Sequence, residues 1–560
     1  MKVLLLCSSF NGLSQRAWTE LRGAGHELRV QLTAHPDTVT AAVHTYEPDL
    51  VICPFLKERV PAEVWRHYPT IIIHPGPPGD RGPSSLDWAI SDGESSWGVT
   101  ALQAVEEMDA GPIWGYRTFP MPGDAPRKSS LYNGAVTHAA IELVHEVVAK
   151  AADPSFRPRE LSYAAPDIRG KLRPLMRQSD REFSWADPTA AIVRRVRAAD
   201  GSPGVRATIN GIAVSVFDAH PGPALTGKPG TVLQRSRGAI LVRTGDGSVW
   251  IGHVRVRERE QPKLPATLAL AGQLGNVPEV GDPVGYQEIS YFRTGPVGVL
   301  GFDFYNGAMS TAQCERLVGA LRHAAAQDTK VLVIRGGDIF SNGIHLNVIE
   351  AAPNPSIEAW QNIKAIDDVC REIITCTQQL VVTSVAGNAG AGGVMLALGA
   401  DEVIMREGVV LNPHYRTMGL FGSEYWTYVM PRRVGAHQAE MLTSRCEPID
   451  AADALRIGLA DQVVGGSRTA FEDTVLDQAL RTATRDDYYG RLEHKRARRA
   501  ADERRRPLDV YRTEELATMS RDIFDDRLGF AATRHAFVMK RVAGTSSHAG
   551  RRTESQRIVA

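Results

Sequence analysis

The N-terminal part of the chain alternates short apolar runs with segments of helical periodicity. The apolar runs predict buried strands at Lys2–Leu6, His26–Thr33, Leu50–Cys53 and Ile71–Ile73. Residues Ala17–Ala24 predict a helix between the first two strands. Strands that alternate with helices favour a doubly wound parallel sheet.

The loops after these strands carry the first candidate binding residues. In a doubly wound sheet, ligands bind beyond the carboxyl ends of the strands. This rule places the loop Ser8–Ser14, the segment Pro54–Leu56 and His74 at one crevice. The candidates for binding there are Ser9, Asn11, Pro54, Phe55 and Leu56.

The hydrophobic pattern changes near Ile168, where short apolar segments begin to alternate with turns. Asn210-Gly211 and Asp246-Gly247 indicate hairpins between such segments. This region is therefore predicted to form a small β-barrel. The stretch Gln261–Pro283, which is rich in Pro, Gly and Leu, is predicted to be a linker.

A third region contains an apolar run that ends in a glycine-rich turn. Strands are predicted at Lys330–Arg335 and from Leu380. After the second strand the chain turns and continues into a helical pattern, with glycines at Gly387, Gly390, Gly392 and Gly393. The N–H groups at a helix start have no intrahelical partner. Because they are fixed in place, they are suited to stabilise an oxyanion.

These patterns predict an α/β multidomain chain with a charged helical tail. The predicted segments are a doubly wound domain at 1–165, a β domain at 166–260, a linker at 261–284, a third domain at 285–485 and the tail at 486–560. The charge run in the tail predicts a solvated helix face. Residues Ala543–Arg557 are predicted to be disordered.

Composition narrows the class of protein. A length of 560 residues suits three or four domains, and a formal net charge of zero offers no electrostatic case for nucleic acid. The apolar start is too short for a signal sequence, and no apolar run approaches a membrane span. The six cysteines are scattered without zinc-type spacing. We therefore predict a cytoplasmic protein with reduced thiols, no metal, and small-molecule substrates.

Two motifs in the first region carry candidate acid–base chemistry. His74 follows a strand directly, in I-I-I-H-P-G-P-P-G-D-R-G, and Asp109 lies in D-A-G-P-I. Taken singly, they also suit a capping histidine and a turn aspartate. Together with Arg81, Gly82 and the G-V-T segment from Gly98, they resemble the formyltransferase family. The resemblance continues through the predicted β-barrel and implies 10-formyltetrahydrofolate as the formyl donor, with His74 and Asp109 as catalytic residues and Arg81 as a binding residue.

The match to formyltransferases is incomplete in two places. Relatives have an asparagine two residues before the histidine, as part of the oxyanion contact, where this chain has Ile72. The loop from His74 to Arg81 is about one residue shorter than in typical relatives. Because of these two departures, the resemblance alone does not identify the acceptor of the formyl group.

The third region resembles the crotonase (enoyl-CoA hydratase/isomerase) family over roughly 287–478. The motifs are F-S-N-G-I-H-L after one strand and A-G-N-A-G-A-G-G after the next. The resemblance implies that the amides of Ile344 and Gly392 bind a CoA thioester carbonyl. The CoA-binding candidates there are Asn306, Ser341 and Gly343.

The crotonase match lacks the family's two catalytic carboxylates. Met395 occupies the place of the first, and the second falls near His414. Glu424 and Tyr425 stand instead where many relatives have glycines. Hydration of an enoyl-CoA is therefore not expected. The residues allow either a changed reaction or a loss of activity, and we favour the first because an acid and nearby rings remain for proton transfer.

The order of the parts resembles the HypX/HoxX family of [NiFe]-hydrogenase maturation factors. That resemblance implies transfer of a formyl group from 10-formyltetrahydrofolate to CoA, followed by breakdown of formyl-CoA to CO and CoA. The CO would become an iron ligand of the hydrogenase, and transient contact with hydrogenase maturation proteins is implied.

Formyl-CoA has no α-carbon, so enolate chemistry is not available to it. Removal of the formyl proton and protonation of the sulfur require a proton carrier. The candidates are Glu424 with Tyr415 or Tyr425, and then His414. Arg534 is a candidate for binding a CoA phosphate.

Two other functions stay open from the sequence. One is a formyltransferase for an amine or a sugar that is fused to an acyl-CoA hydratase or isomerase. The other is a non-catalytic assembly module for a hydrogenase precursor, which Ile72 and Met395 keep possible. His74, Asp109 and Glu424 argue against the non-catalytic alternative.

Overall fold

The protein is represented by a computed structural model that describes residues 1–33, 36–123, 125–258 and 261–540. The chain divides into two compact units, Met1–Gln287 and Glu288–Ala560. The disorder predicted at Ala543–Arg557 lies outside the described residues.

The first unit begins with the predicted doubly wound sheet. Its strands are β1 (Lys2–Cys7), β2 (Glu27–Leu32), β3 (Leu50–Cys53), β4 (Thr70–His74), β5 (Ser96–Gln103) and β6 (Ile113–Pro120). They lie in the order β2-β1-β3-β4-β5-β6, and β1 to β4 are parallel. The helices are α1 (Gly12–Gly23), α2 (Pro36–Tyr46), α3 (Ala62–Trp65), α4 (Ser85–Asp92), α5 (Lys128–Leu131) and α6 (Thr137–Ala151).

The order of these strands creates the predicted crevice. Because β1 lies between β2 and β3, the chain reverses its direction of winding at β1, and ligand sites of such sheets lie there. The loops after β1 and β3 touch, since the Ser8 N–H donates to the Phe55 carbonyl (2.9 Å). Strands β5 and β6 are antiparallel to their neighbours, which the sequence did not indicate.

The predicted β domain follows in the same unit. It contains the helices α7 (Gln178–Arg181) and α8 (Thr189–Ala198) and the strands β7 (Val205–Ile209), β8 (Ile212–Gly222), β9 (Val232–Ser236), β10 (Ala239–Arg243), β11 (Ser248–Val256) and β12 (Leu264–Pro265). The antiparallel order is β7-β8-β11-β10-β9, with β12 paired to β11. Both predicted hairpins are present, at Asn210-Gly211 and Asp246-Gly247.

The stretch predicted to be a linker is instead packed against this β domain. Strand β12 pairs with β11, and a short helix, α9 (Ala266–Ala269), follows it. Leu270 and Leu274 are fully buried in the core of the domain. The prediction of a linker was wrong here. It was based on the high content of Pro and Gly, and the spaced leucines that this segment buries were not recognised as core residues.

The second unit repeats a strand–strand–helix pattern, as expected for a crotonase-like fold. Its strands are β13 (Ile289–Thr294), β14 (Val297–Phe302), β15 (Val331–Arg335), β16 (Ile339–Ser341), β17 (Leu380–Val385), β18 (Asn388–Gly390), β19 (Glu402–Arg406), β20 (Val410–Asn412), β21 (Ile449–Asp450) and β22 (Gln462–Val464). One sheet has the order β13-β14-β15-β17-β19-β22, and a smaller one has the order β16-β18-β20-β21.

Helices surround these two sheets and form the predicted tail. They are α10 (Thr311–Ala325), α11 (Leu346–Ala351), α12 (Pro355–Thr375), α13 (Gly392–Leu398), α14 (Trp426–Val434), α15 (Ala436–Arg445), α16 (Ala451–Ile457), α17 (Arg468–Thr484), α18 (Tyr488–Arg505), α19 (Leu508–Phe524) and α20 (Phe530–Val538). The charged helix α18 buries one stripe formed by Tyr488, Leu492 and Lys495. Helix α19 packs against α12 and α14.

Substitution of Leu270 tests whether this segment belongs to the folded β domain. Leu270→Ala is expected to lower the free energy of unfolding by about 2–5 kcal/mol, because it empties a fully buried position. Leu268→Ala is the matched control, since this neighbour is 49% exposed. The two variants are compared by urea unfolding of the full chain. Equal small losses would mean that the segment is a linker after all.

Candidate functional site

The first candidate site is built around His74 at the carboxyl end of β4. The imidazole is buried between two carboxylates. Its Nε2 lies 2.9 Å from Asp80 Oδ2, and its Nδ1 lies 3.6 Å from Asp109 Oδ1. The structure therefore brings together the predicted pair, His74 and Asp109, and adds Asp80.

These carboxylates control the protonation of His74. Burial alone would lower the pKa of the imidazole. The hydrogen bond with Asp80 and the charges of Asp109 and Asp80 outweigh burial, so the pKa of His74 is raised above its usual range. The site thus favours the imidazolium form.

The turn that carries Asp109 is held by backbone and side-chain contacts. Asp109 has a left-handed backbone (φ 55°), and its Oδ2 accepts a hydrogen bond from the Gly82 N–H (3.2 Å). Arg81, which we predicted to bind the cofactor, donates to the Met108 carbonyl and to Glu107. Arg81 therefore ties the two motifs together, and its contact with a ligand stays a prediction.

One motif glycine is explained by close packing beside this turn. A Cβ on Gly111 would lie 1.8 Å from the Gln103 carbonyl oxygen, so a side chain there would force β5 and β6 apart. The D-A-G-P-I turn therefore needs glycine at this position.

The other predicted residues of the first site occupy the crevice loops. Asn11 caps α1 through a hydrogen bond from the Ser14 N–H (3.0 Å), and its amide donates to the Tyr132 hydroxyl (3.3 Å). The Phe55 ring packs edge-on against Tyr132, at 5.9 Å between centroids. Ser9 is exposed and Pro54 is buried. Leu56 and Ile72 are half-buried and pack against the same apolar cluster, and the Ile72 side chain has no group that could donate to an oxyanion.

The second candidate site lies where strands of the smaller sheet of the second unit end. Strands β16, β18 and β20 are parallel neighbours, so the segments 342–344, 391–393 and 413–415 leave the same edge. A Cβ on Gly343 would lie 3.3 Å from Gly392 N, so the two predicted amide turns are adjacent. Among the described residues, neither the Ile344 nor the Gly392 N–H donates to a protein acceptor.

Two other predicted residues support these turns. Ser341 Oγ accepts a hydrogen bond from the Gly343 N–H (3.1 Å). The Asn306 carbonyl accepts one from the Asn342 side chain (2.9 Å). Both contacts position the turn next to Ile344, and direct contact of Asn306, Ser341 and Gly343 with CoA stays a prediction.

Glu424 lies against the glycine turn. A Cβ on Gly392 would stand 2.2 Å from Glu424 Oε1, so this carboxyl group occupies the space where a side chain would otherwise be. Its other oxygen, Oε2, accepts hydrogen bonds from the Tyr415 hydroxyl (2.9 Å) and from the Ser423 N–H and Oγ (3.1 and 3.3 Å). Because Oε2 already accepts three bonds, a proton on Glu424 is best placed on Oε1.

The environment of Glu424 favours its protonated form. Burial and the charge of Asp367 raise the pKa of Glu424 to about 8, against the opposing hydrogen bonds from Tyr415 and Ser423. Burial raises the pKa of Asp367 as well, although Arg512 opposes this effect. Burial and the charge of Glu424 hold the pKa of Tyr415 well above its usual range, so Tyr415 remains a neutral donor.

The remaining candidates of the second site have contacts of their own. The His414 ring lies over Gly390, and its Nδ1 is 2.8 Å from the Asn412 carbonyl. Burial lowers the pKa of His414, which favours the neutral ring. Tyr425 is fully buried, and its backbone N–H donates to Glu515 (2.9 Å). Met395 is buried in the main core of the unit.

Arg534 lies in the tail and already has a carboxylate partner. Its Nε is 2.7 Å from Glu350, and its side chain is buried. Contact with a CoA phosphate is untested and stays a prediction. The sequence did not indicate this ion pair.

Sequence reasoning missed Asp80, Asp367 and Glu515. Asp80 stands in the proline-rich loop after His74, and an acidic residue among prolines and glycines was the available signal. Asp367 and Glu515 lie on long helices, where isolated acids are typical of the surface.

In the part of the chain that the structure describes, no helix has the length and apolar character to cross a membrane.

Removal of the Asp80 charge tests the origin of the His74 protonation state. Asp80→Asn is expected to lower the pKa of His74, because burial then acts against fewer negative charges. The measurement is an NMR titration of the full chain, with His74→Asn used to assign the signal. Glu107→Gln is the control, since Glu107 pairs with Arg81. An unchanged titration in Asp80→Asn would refute this explanation.

Comparison with known proteins agrees with the two units. The Formyl transferase profile matches residues 20–127, the profile of its C-terminal domain matches 175–272, and the Enoyl-CoA hydratase/isomerase profile matches 304–519. A methionyl-tRNA formyltransferase of Roseiflexus castenholzii is 33% identical over 182 residues, which are 31% of this chain and 55% of that protein.

Two relatives match nearly the full length. The hydrogenase maturation factor HoxX of Bradyrhizobium diazoefficiens is 45% identical over 543 residues, which cover 96% of this chain and 95% of HoxX. The crystal structure of HypX from Aquifex aeolicus in complex with tetrahydrofolic acid has a TM-score of 0.93 and 42% identity, and 96% of each chain is covered. Identity at this level across both units, in the same order, shows that the chain belongs to the HypX/HoxX family of hydrogenase maturation factors.

Proposed function

We propose that the protein is a bifunctional enzyme that makes CO for assembly of the [NiFe]-hydrogenase active site. It transfers a formyl group from 10-formyltetrahydrofolate to CoA and then splits formyl-CoA into CO and CoA. The observation that carries the proposal is the buried Glu424 carboxyl, whose Oε1 faces the Gly392 turn. A proton carrier therefore lies beside the amides that suit a thioester carbonyl.

The folate half of the proposal is supported by the HypX relative, whose crystal structure contains tetrahydrofolic acid. The proposed acceptor is the CoA thiol, which is neutral at pH 7 and must lose its proton to attack. Asp109 is the more exposed of the two carboxylates at His74, and we assign it to accept this proton. The imidazolium of His74 donates to the oxygen that becomes negative in the tetrahedral intermediate. Collapse of this intermediate breaks the bond between the formyl carbon and N10 of the folate, and Asp109 returns the thiol proton to that nitrogen, so the products are formyl-CoA and tetrahydrofolate.

The second step needs a base and then an acid at one place. The Ile344 and Gly392 amides bind the carbonyl oxygen of formyl-CoA. Glu424 in its ionised form takes the formyl proton. The C–H electron pair stays on carbon, and the C–S pair leaves with sulfur. Protonated Glu424 then returns the proton to the CoA thiolate, so the products are CO and free CoA. Tyr415 holds Oε2 throughout.

Further contacts in this proposal rest on the sequence alone. Ser9, Asn11, Pro54, Phe55, Leu56 and Arg81 are proposed to bind ligand in the first unit, and Asn306, Ser341, Gly343 and Arg534 are proposed to bind CoA in the second. Transient contact with hydrogenase maturation proteins is proposed from the name of the HoxX relative.

The full chain is expected to release CO when it is given both 10-formyltetrahydrofolate and CoA. The gas is trapped by a reduced haem protein and measured by absorbance, with omission of either substrate as control. Protein that binds folate but releases no CO would contradict the proposal. A formylated amine or sugar in place of CO would favour the alternative function.

Two variants are expected to separate the steps. Glu424→Gln removes the proton carrier, so CO release falls by about a hundredfold or more while formyl-CoA accumulates. His74→Asn is expected to do the reverse, with loss of formyl transfer but normal CO release from added formyl-CoA. Products are quantified by liquid chromatography. Equal loss of both steps in Glu424→Gln would rule out this division of roles.

The pH dependence follows from the raised pKa of Glu424. Because the ionised carboxyl accepts the formyl proton, CO release from added formyl-CoA is expected to rise about tenfold per pH unit and level off near pH 8. An ordinary carboxyl would level off near pH 5. The rate is measured between about pH 6 and 9, the window around this pKa. A flat profile across this range would contradict a base with a raised pKa in this step.

A further inference from the structure

Glu424 and Tyr425 share an unusual backbone conformation. Both have left-handed dihedral angles, with φ of 58° and 59°, and neither is glycine. Bulky residues avoid this region because the Cβ crowds the backbone. Two such residues in succession persist only where the surroundings hold them.

Two buried carboxylates hold this pair through its backbone. The Glu424 N–H donates to Asp367 Oδ1 (2.8 Å), and the Tyr425 N–H donates to Glu515 Oε2 (2.9 Å). Glu515 Oε1 also accepts hydrogen bonds from the N–H and the hydroxyl of Thr427. Asp367 belongs to α12 and Glu515 to α19, so separate helices hold consecutive residues.

One face of the tail helix α19 provides hydrogen-bond acceptors along the loop 421–427, which we call the reactive loop because it carries Glu424. Asp522, seven residues after Glu515, accepts from the Phe421 N–H (2.8 Å). Met519, between them, accepts from the Gly422 N–H through its sulfur (3.1 Å). Positions four and seven residues apart lie on one side of a helix. The tail therefore supplies acceptors for successive parts of the loop 421–427.

We propose that Asp367 and Glu515 are positioning residues for the decarbonylation step, holding the turn that places Glu424 Oε1 against Gly392. They act on the formyl group only through Glu424. This inference rests on the proposed function, because it assigns roles around the same proton carrier.

The charge of Asp367 also adds to the effect of burial in raising the pKa of Glu424. The titratable or charged groups that act on Glu424 or lie around it come from several elements. They are Asp367 and Cys370 on α12, Cys314 on α10, Tyr415 after β20, and Arg512 and Glu515 on α19. Among these, the charge of Asp367 contributes most to keeping Glu424 protonated.

Glu515→Gln tests the positioning role in the full chain. An amide keeps the size of the side chain but replaces one acceptor oxygen with a donor, which then faces a backbone N–H. The kcat for CO release from added formyl-CoA is expected to fall about tenfold or more. The KM for formyl-CoA and the rate of formyl transfer are expected to stay within about twofold.

Glu514→Gln is the matched control, because this neighbour on α19 is exposed and pairs with Arg506. It is expected to leave kcat unchanged. Thermal unfolding is measured for each variant. If Glu515→Gln lowers the melting temperature but keeps the wild-type kcat when folded, its role is structural and the proposal is overturned.

Asp367→Asn gives a second test that does not depend on Glu515. The asparagine oxygen still accepts the Glu424 N–H, but the negative charge is gone. The pH at which CO release levels off is therefore expected to move down by about one unit. An unmoved profile would overturn the role of Asp367, even if Glu515→Gln fails to fold.

These outcomes are distinguishable from failure of the proposed function. If wild-type protein releases no CO from formyl-CoA, the proposed reaction itself is wrong. If wild-type releases CO and both variants match it in kcat and pH profile, the reaction stands and the positioning role is wrong.

Discussion

A buried carboxyl group can lie against a glycine turn only if nothing else fills that space. In the second unit, Glu424 Oε1 occupies the space that a side chain at position 392 would fill, and this space is free because the residue there is glycine. The arrangement requires glycine at position 392 and a left-handed backbone at both Glu424 and Tyr425. A left-handed backbone costs about 1–3 kcal/mol for each non-glycine residue. Hydrogen bonds to Asp367 and Glu515 offset that cost. The chemistry that we assign to this unit depends on this balance.

The first unit solves a related problem with the opposite charge. Its buried titratable group is an imidazole, and burial would favour the neutral ring. Asp80 and Asp109 reverse this preference by facing its two nitrogens. In the second unit, by contrast, Asp367 adds to the effect of burial and keeps a carboxyl protonated. A neighbouring carboxylate thus keeps His74 protonated, so that it can donate a proton, and makes Glu424 a stronger base.

Much of the fold could be predicted because short apolar runs and glycine turns are local signals. The parallel strands β1 to β4 and both hairpins of the β domain are where those signals placed them. The antiparallel β5 and β6 were missed, since strand direction depends on tertiary pairing. The predicted linker was wrong because Leu270 and Leu274 become apolar core only when β12 joins the sheet.

In the candidate sites, too, some contacts could be predicted from the sequence and others could not. His74 with Asp109, and Glu424 with Tyr415, were predicted together and lie together. Asp367 and Glu515 are 57 and 90 residues from the backbone groups that they hold, and no local pattern marks such contacts. One consequence concerns synthesis on the ribosome. Because α19 follows both sheets of the second unit along the chain, the first unit can fold earlier during synthesis, whereas the loop that carries Glu424 cannot be completed until α19 has been translated. A nascent chain that lacks α19 would therefore carry the first unit together with an incomplete loop in the second unit.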